Sequence, residues 1–95
     1  MSANGDLVEV RVFGPLREIV GRKSVSLPYA GMTVKHALAR FAEDQGDRVR
    51  PMLLDSQGNR RRSLILLLND QTVDEDTRHL RSGDVISVLL PLAGG

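Results

Sequence analysis

Residues 82–95, SGDVISVLLPLAGG, set how the rest of the chain is read. Ser82-Gly83-Asp84 makes a turn, Val85 to Leu90 is a strand with aliphatic residues on both faces, and Pro91 closes it. Gly94 and Gly95 come four and five positions beyond the strand. Glycine has no Cβ, so it buries nothing, but its backbone enters slots too narrow for any other residue. Pro91 pushes Leu90 toward an extended conformation and aims the tail away from the sheet. The five residues from Pro91 to Gly95 reach at most roughly 17 Å when extended. That suits a carboxylate delivered into another protein's active site.

Upstream, Ser63 to Leu68 is a second dense apolar run, also read as a strand apolar on both faces. Asn69-Asp70 is a tight hairpin turn, and Gln71 to Val73 a brief return strand. Nearer the start, Val8, Val10 and Val12 alternate with Glu9 and Arg11, which marks a half-buried strand from Leu7 to about Phe13. Gly14-Pro15 breaks it, and Leu16 to Val20 reads as a connection ending at Gly21. Lys23 to Leu27 alternates again until Pro28, so the two strands form an antiparallel hairpin with a long loop. The period then changes. Thr33 suits an N-cap, Val34, Ala37, Leu38 and Phe41 follow helical spacing, and Gly46 suits the stop, giving a helix over Thr33 to Gln45. A short turn at Pro51 to Leu54 and a polar loop from Asp55 to Asn59 lead to the third strand.

The fold expected is α+β, with a mixed sheet of four or five strands and one main helix on one face. Residues 1–6 are expected to be a disordered N-terminus, 7–90 the folded domain and 91–95 a flexible tail. One helix covers only one sheet face, yet two strands carry aliphatic side chains on both. Either the sheet curls over itself or its second face meets another protein. On the second alternative, Leu66, Leu68, Val88, Leu90 and Leu92 are the expected partner-binding residues.

Composition narrows the function. Ninety-five residues make one domain, and folding at this size hides about 60–70% of the unfolded surface. Thirteen basic against twelve acidic residues leave a charge of +1, with no global pull toward nucleic acid. The absence of cysteine excludes a disulfide framework, a Cys-ligated metal and a thiol nucleophile. No signal peptide or membrane span is visible, so a cytoplasmic location is expected. Two histidines, one tyrosine and no tryptophan leave little material for a catalytic pocket, and no catalytic residue is expected.

LREIVG at Leu16 to Gly21, TVKHALARF at Thr33 to Phe41, LNDQTV at Leu68 to Val73 and the segment from Ser82 to Gly95 together resemble the MoaD/ThiS family. Its members are ubiquitin-like β-grasp sulfur carriers and protein modifiers. The resemblance covers about Leu7 to Gly95, and its specific parts are the Gly83-Asp84 turn and the LPLAGG ending. That ending is similar to the molybdopterin-synthase small subunit and to its archaeal modifier and cysteine-pathway cousins, more than to thiamine carriers. The long segment from Asp47 to Arg62 leans toward those cousins.

The resemblance implies a function. Gly95 would be the residue modified, its carboxylate attacking the α-phosphate of ATP inside a partner of the MoeB/ThiF-like, ubiquitin-activating type. Gly94 would give clearance. A persulfide would then convert the acyl-adenylate to a thiocarboxylate for cofactor or metabolite synthesis. The alternative is attack by a target-protein lysine, forming an isopeptide bond, with a role in tRNA thiolation besides. The implied partners are the adenylating enzyme and either a molybdopterin-synthase large subunit or target lysines, with no nucleic acid and no membrane. No cofactor would be bound, ATP being used by the partner, and the chain itself would not be an enzyme.

Other features read as ordinary surface. Arg60-Arg61-Arg62 lacks stacking aromatics and is expected to be a solvated loop. His36 and His79 have no second ligand at metal spacing, and Asp74-Glu75-Asp76 is three acids in a turn. Lys23 and Lys35 are the chain's two lysines, against eleven arginines.

Overall fold

The computed structural model describes residues 7–28, 31–72 and 78–90. The first strand, β1 (Leu7–Val12), ends where Gly14 turns with φ +62°. The next element is a helix, α1 (Gly14–Val20), where the sequence predicted a connection. Pro15 stops a strand but suits the first turn of a helix, since its missing N–H would have had no partner there. Leu16 is fully buried, and Ile19 and Val20, three and four residues on, pack against the core. Gly21 ends the helix in the left-handed region at φ +82°, its N–H donating to the Arg17 carbonyl at 2.8 Å.

Strand β2 (Ser24–Pro28) pairs antiparallel with β1, so the expected N-terminal pairing is present with a helix in its loop. Helix α2 (Val34–Gln45) lies one residue inside the expected span. The Thr33 Oγ1 accepts from the His36 N–H at 3.2 Å, and Gly46 closes the other end with its N–H on the Ala42 carbonyl. The expected turn at Pro51 is one turn of helix, α3 (Arg50–Leu53). Val49, Leu53, Leu54 and Leu64 are all buried, so the long segment between α2 and the third strand is anchored to the core by its ends.

Strands β3 (Ile65–Leu68), β4 (Gln71–Thr72) and β5 (Val85–Leu89) complete a mixed five-stranded sheet, ordered β2-β1-β5-β3-β4. Asn69 and Asp70 take φ +52° and +71°, the paired positive values of a type I′ hairpin turn. β5 lies at the centre, parallel to β1 and antiparallel to β3. Register makes two continuous rows across it, Val10–Ile86–Leu68 and Val12–Val88–Leu66. Both rows are buried in one cluster with Val34, Ala37, Leu38, Phe41 and Ala42 of α2. Burying each of the larger side chains stabilises the fold by about 1.5–3 kcal/mol, which makes this layer the main source of cohesion.

Candidate functional site

The register assigns the two faces of the sheet. Even-numbered residues of β1, β3 and β5 point into the core, so odd-numbered ones point away from it. Leu66, Leu68 and Val88, expected in an exposed docking patch, are therefore core residues at 2%, 5% and 0% exposure. Leu90 is partly buried and packs against the same cluster. Leu92, Gly94 and Gly95 lie outside the described residues, as do the expected disordered N-terminus and flexible tail. The physical reason for the correction is that β3 and β5 are aliphatic at every position except Ser87, so composition does not reveal which parity faces α2.

The second face is nevertheless apolar, through the alternate residues. Ile65 is 45% exposed, the one large apolar side chain this open among those described. It pairs with Leu89 across the strands, and Leu67 pairs with Ser87. Val85, Leu67 and Leu89 are half-buried. Ser87 is only 5% exposed because Arg11 and Leu67 flank it on the two neighbouring strands. Ile65 and Leu89 sit at the end of the sheet where β5 hands over to Leu90 and residues 91–95.

Toward β2 the face changes character. Here Glu9, Arg11, Phe13, Arg17, Lys23 and Ser24 line an open cleft of about 350 Å³. The Arg11 Nε donates to Glu9 Oε2 at 2.9 Å, and that bond and charge hold the guanidinium still more firmly protonated. The Arg17 guanidinium lies 5.5 Å from the centre of the Phe13 ring, and its Nε donates to the Val12 carbonyl at 3.2 Å.

A side-chain clamp fixes where β5 begins. Asn69 Nδ2 donates to Asp84 Oδ1 at 3.0 Å, and Asn69 Oδ1 accepts from the Val85 N–H at 2.9 Å. Asp84 Oδ2 accepts from the Arg81 N–H at 2.7 Å. The Gly83 N–H reaches the Leu7 carbonyl, and the Glu9 N–H reaches that of Asp84. Asp84 thus ties the turn before β5 to the β3–β4 turn on one side and to β1 on the other. Sequence reading treats Gly83-Asp84 as a turn and misses its partner, because Asn69 is fifteen residues away.

Among the described residues no group of His, Asp and Glu is placed to hold a metal ion. His36 and His79 are exposed, and His79 forms an isolated antiparallel bridge with Thr33. Arg61 and Arg62 are exposed, and the Arg61 Nε is occupied by the Pro51 carbonyl. Asp55 accepts from the Asn59 and Gln57 N–H groups at 3.0 and 2.9 Å, which holds its carboxyl below the usual range, helped by the Arg61 charge. Asp74-Glu75-Asp76 lies outside the described residues. No described helix is long and apolar enough to cross a membrane.

The sheet order, the tail-end patch and the LPLAGG ending define a ubiquitin-like β-grasp protein of the carrier and modifier type. The chain belongs to the ThiS family, whose model matches residues 10–95. No curated protein sequence matches it. Among solved structures, SAMP1 from Haloferax volcanii superposes with a TM-score of 0.85 at 21% identity, covering 94% of this chain and 99% of that one. CysO in the BexX/CysO complex of Amycolatopsis orientalis gives 0.72 at 24% identity, covering 93% and 99%. A chain of the complex of subunits 1 and 2 of the molybdopterin-converting factor from Helicobacter pylori 26695 gives 0.60 at 27% identity, covering 94% and 99%. The first two likenesses speak for the fold alone.

Proposed function

We propose that this chain is a sulfur carrier whose Gly95 carboxylate is activated and thiolated by a partner enzyme. The observation that carries the reading is the family match running through residue 95, onto an ending of two glycines beyond a proline-stopped central strand. A carboxylate is a poor electrophile. Attack of its oxygen on the α-phosphate of ATP in the partner's site releases pyrophosphate and leaves an acyl-adenylate. A persulfide sulfur then attacks the acyl carbon and AMP departs. Reduction of the resulting acyl disulfide by a thiol leaves the Gly95 thiocarboxylate, a nucleophile at neutral pH. The chain supplies the acyl group and the docking face, and the partner supplies ATP binding and catalysis, so the chain itself is not an enzyme.

The docking face is that of Ile65, Leu67 and Leu89, which lies at the sheet end from which residues 91–95 continue. The complexes of the molybdopterin-converting factor and of CysO support a protein partner in general. The molybdopterin-synthase type of large subunit is the partner that would consume the sulfur. A second reading, conjugation of Gly95 to protein lysines, is favoured by the fold match to SAMP1, described as a small archaeal modifier protein.

Intact-mass analysis tests both. Incubated with its adenylating enzyme, ATP, a sulfur donor and a thiol reductant, the protein should gain the mass of one oxygen-to-sulfur replacement, localised to Gly95. Failure to form the thiocarboxylate, with isopeptide-linked Gly95 recovered instead from cell extracts, selects the modifier reading. Neither product would overturn both.

A further inference from the structure

We propose that the cleft of Phe13, Arg17 and Lys23 is the receptor for a carboxylate-bearing segment, rich in Asp or Glu, on the protein that takes the tail. The inference deepens the carrier and modifier readings and rests on them for the identity of the partner. It does not rest on them for the chemistry of the cleft.

Three features place it. The first is position. β1 runs parallel to β5 with Val12 opposite Val88, and the Lys23 carbonyl accepts from the Val12 N–H, so Phe13 and Lys23 stand toward the same end as Leu90. A rise of about 3.3 Å per residue and a strand spacing of about 4.8 Å put Phe13 within roughly 10 Å of where residues 91–95 begin, with Arg11 and Lys23 about 14 Å away. Anything seated there is beside whatever receives the tail, and the cleft continues the outer sheet face of Leu67 and Leu89.

The second is charge. Three cations line the cleft against one carboxylate, Glu9, whose pairing with Arg11 leaves Arg17 and Lys23 as the cleft's two cations with no carboxylate partner among the described residues. Arg17 spends one N–H on the Val12 carbonyl and keeps the rest of its fork free over the Phe13 ring. Lys23 is exposed. The chain's other basic clusters are differently placed. Arg50 and Arg61 share their cleft with Asp47 and Asp55. Arg78 and Arg81 share theirs with Asp84 and come two and five residues after the acidic run Asp74-Glu75-Asp76.

The third is spacing. The cations come from β1, α1 and the residue before β2, spread along a face with an aromatic wall. A single small anion would meet one of the two that Glu9 leaves unpaired. An extended segment with successive carboxylates meets Arg17 and Lys23 together, and the Phe13 edge accepts an apolar neighbour. Such pairs act mainly by steering encounter and fixing orientation, and salt screens them. For a donor whose tail must thread a narrow slot, orientation at encounter is the demanding step.

The test has two arms. In the first, ¹⁵N-labelled protein is titrated at low salt with a hexaglutamate peptide and, separately, with inorganic pyrophosphate. Hexaglutamate should shift the amides of residues 9–13, 17, 23 and 24, and Lys23→Glu should remove those shifts. Shifts centred on Arg60–Arg62 or Arg78–Arg81, or a stronger response of the cleft to pyrophosphate, would overturn the proposal, the latter in favour of a phosphate site. In the second arm, pyrophosphate exchange by the adenylating enzyme is measured with wild type, Lys23→Glu and Lys35→Glu. Lys23→Glu should raise the KM for the carrier about tenfold at low salt with kcat unchanged, and the gap should close at 0.5 M NaCl. Lys35→Glu makes the same charge change on α2 and should behave as wild type. Equal effects of the two substitutions would refute the cleft as receptor. If the wild type supports no exchange at all, the carrier and modifier readings fail, and the peptide map still decides what the cleft binds.

Discussion

Among single residues, two carboxylates do local work that can be tested separately. Asp84 accepts from Asn69 Nδ2 and the Arg81 N–H, and through Asn69 it orders the Val85 N–H as well. Asp84→Ala removes both acceptors and should cost about 1–3 kcal/mol, since each hydrogen bond is worth roughly 0.5–1.5 kcal/mol net. That lowers the melting temperature by several degrees in a domain of this size. Asn69→Ala should cost a similar amount, and the double variant less than the sum, because the two share one network. Additive losses by urea unfolding would show that the clamp is two independent contacts. Asp55 provides the pH test. Its carboxyl is held low first by the Asn59 N–H and then by Gln57 and Arg61. The folded value lies below the unfolded one of about 3.9. Its contribution is thus present above pH about 4 and disappears as pH falls through the folded value. NMR titration should show the Asp55 carboxyl midpoint below that of a model peptide, and Asp55→Ala should flatten the acid limb of the stability profile.

Among the strands and helices, the outcome turns on parity. The alternation in β1 was legible because Glu9 and Arg11 interrupt the valines, and the amphipathic spacing of α2, its Thr33 cap and the Asn69-Asp70 turn could be read for equally local reasons. β3 and β5 carry no such interruption: Leu64 to Leu68 is unbroken, and Ser87 in β5 is itself buried. Only pairing with β1 assigns their faces, and pairing is a long-range fact. Val12 opposite Val88, and Val88 opposite Leu66, puts the even residues inward and moves the docking patch to Ile65, Leu67 and Leu89. Neighbouring leucines should then respond in opposite ways. Leu66→Ala should cost about 2–5 kcal/mol by leaving a cavity against α2. Leu67→Asp should leave the melting temperature within a few degrees of wild type and weaken the adenylating partner's binding. A Leu67→Asp protein that fails to fold would place Leu67 in the core and remove the patch. Helix α1 is missed when Pro15 is read as a stop, although Leu16, Ile19 and Val20 fall at helical spacing. Its end can be tested at Gly21, where a Cβ meets no atom within 4 Å but φ is +82°. Gly21→Ala should therefore cost only the left-handed backbone penalty, about 1–2 kcal/mol.

Across the molecule, stability and chemistry are assigned to different parts of the chain. The core rows lie between α2 and the inner face of β1, β5 and β3, and the clamp at Asp84 pins β5 at its start. The proposed working end lies at the other end of the same strand. A central strand held by neighbours on both sides cannot slide, so the position of Leu90 is fixed by the whole sheet, and the reach of residues 91–95 is measured from it. This arrangement makes reach and steric demand, rather than stability, the quantities that substitutions near Gly95 should change. Deleting Gly94 and Gly95 shortens the extended tail by about 7 Å and puts Ala93 at the end. Neither glycine has a side chain to bury, so thermal unfolding should be unchanged. Pyrophosphate exchange with the adenylating enzyme should nevertheless be abolished. Adding one alanine after Gly95 keeps the reach and moves the carboxylate one residue past it, and it should abolish exchange equally. Gly94→Ala restores length and leaves Gly95 terminal, so it isolates clearance: exchange should fall through kcat while the KM for the carrier holds. Full activity in the deletion would show that the carboxylate of Gly95 is not the reacting group, and both the carrier and the modifier readings would fall with it.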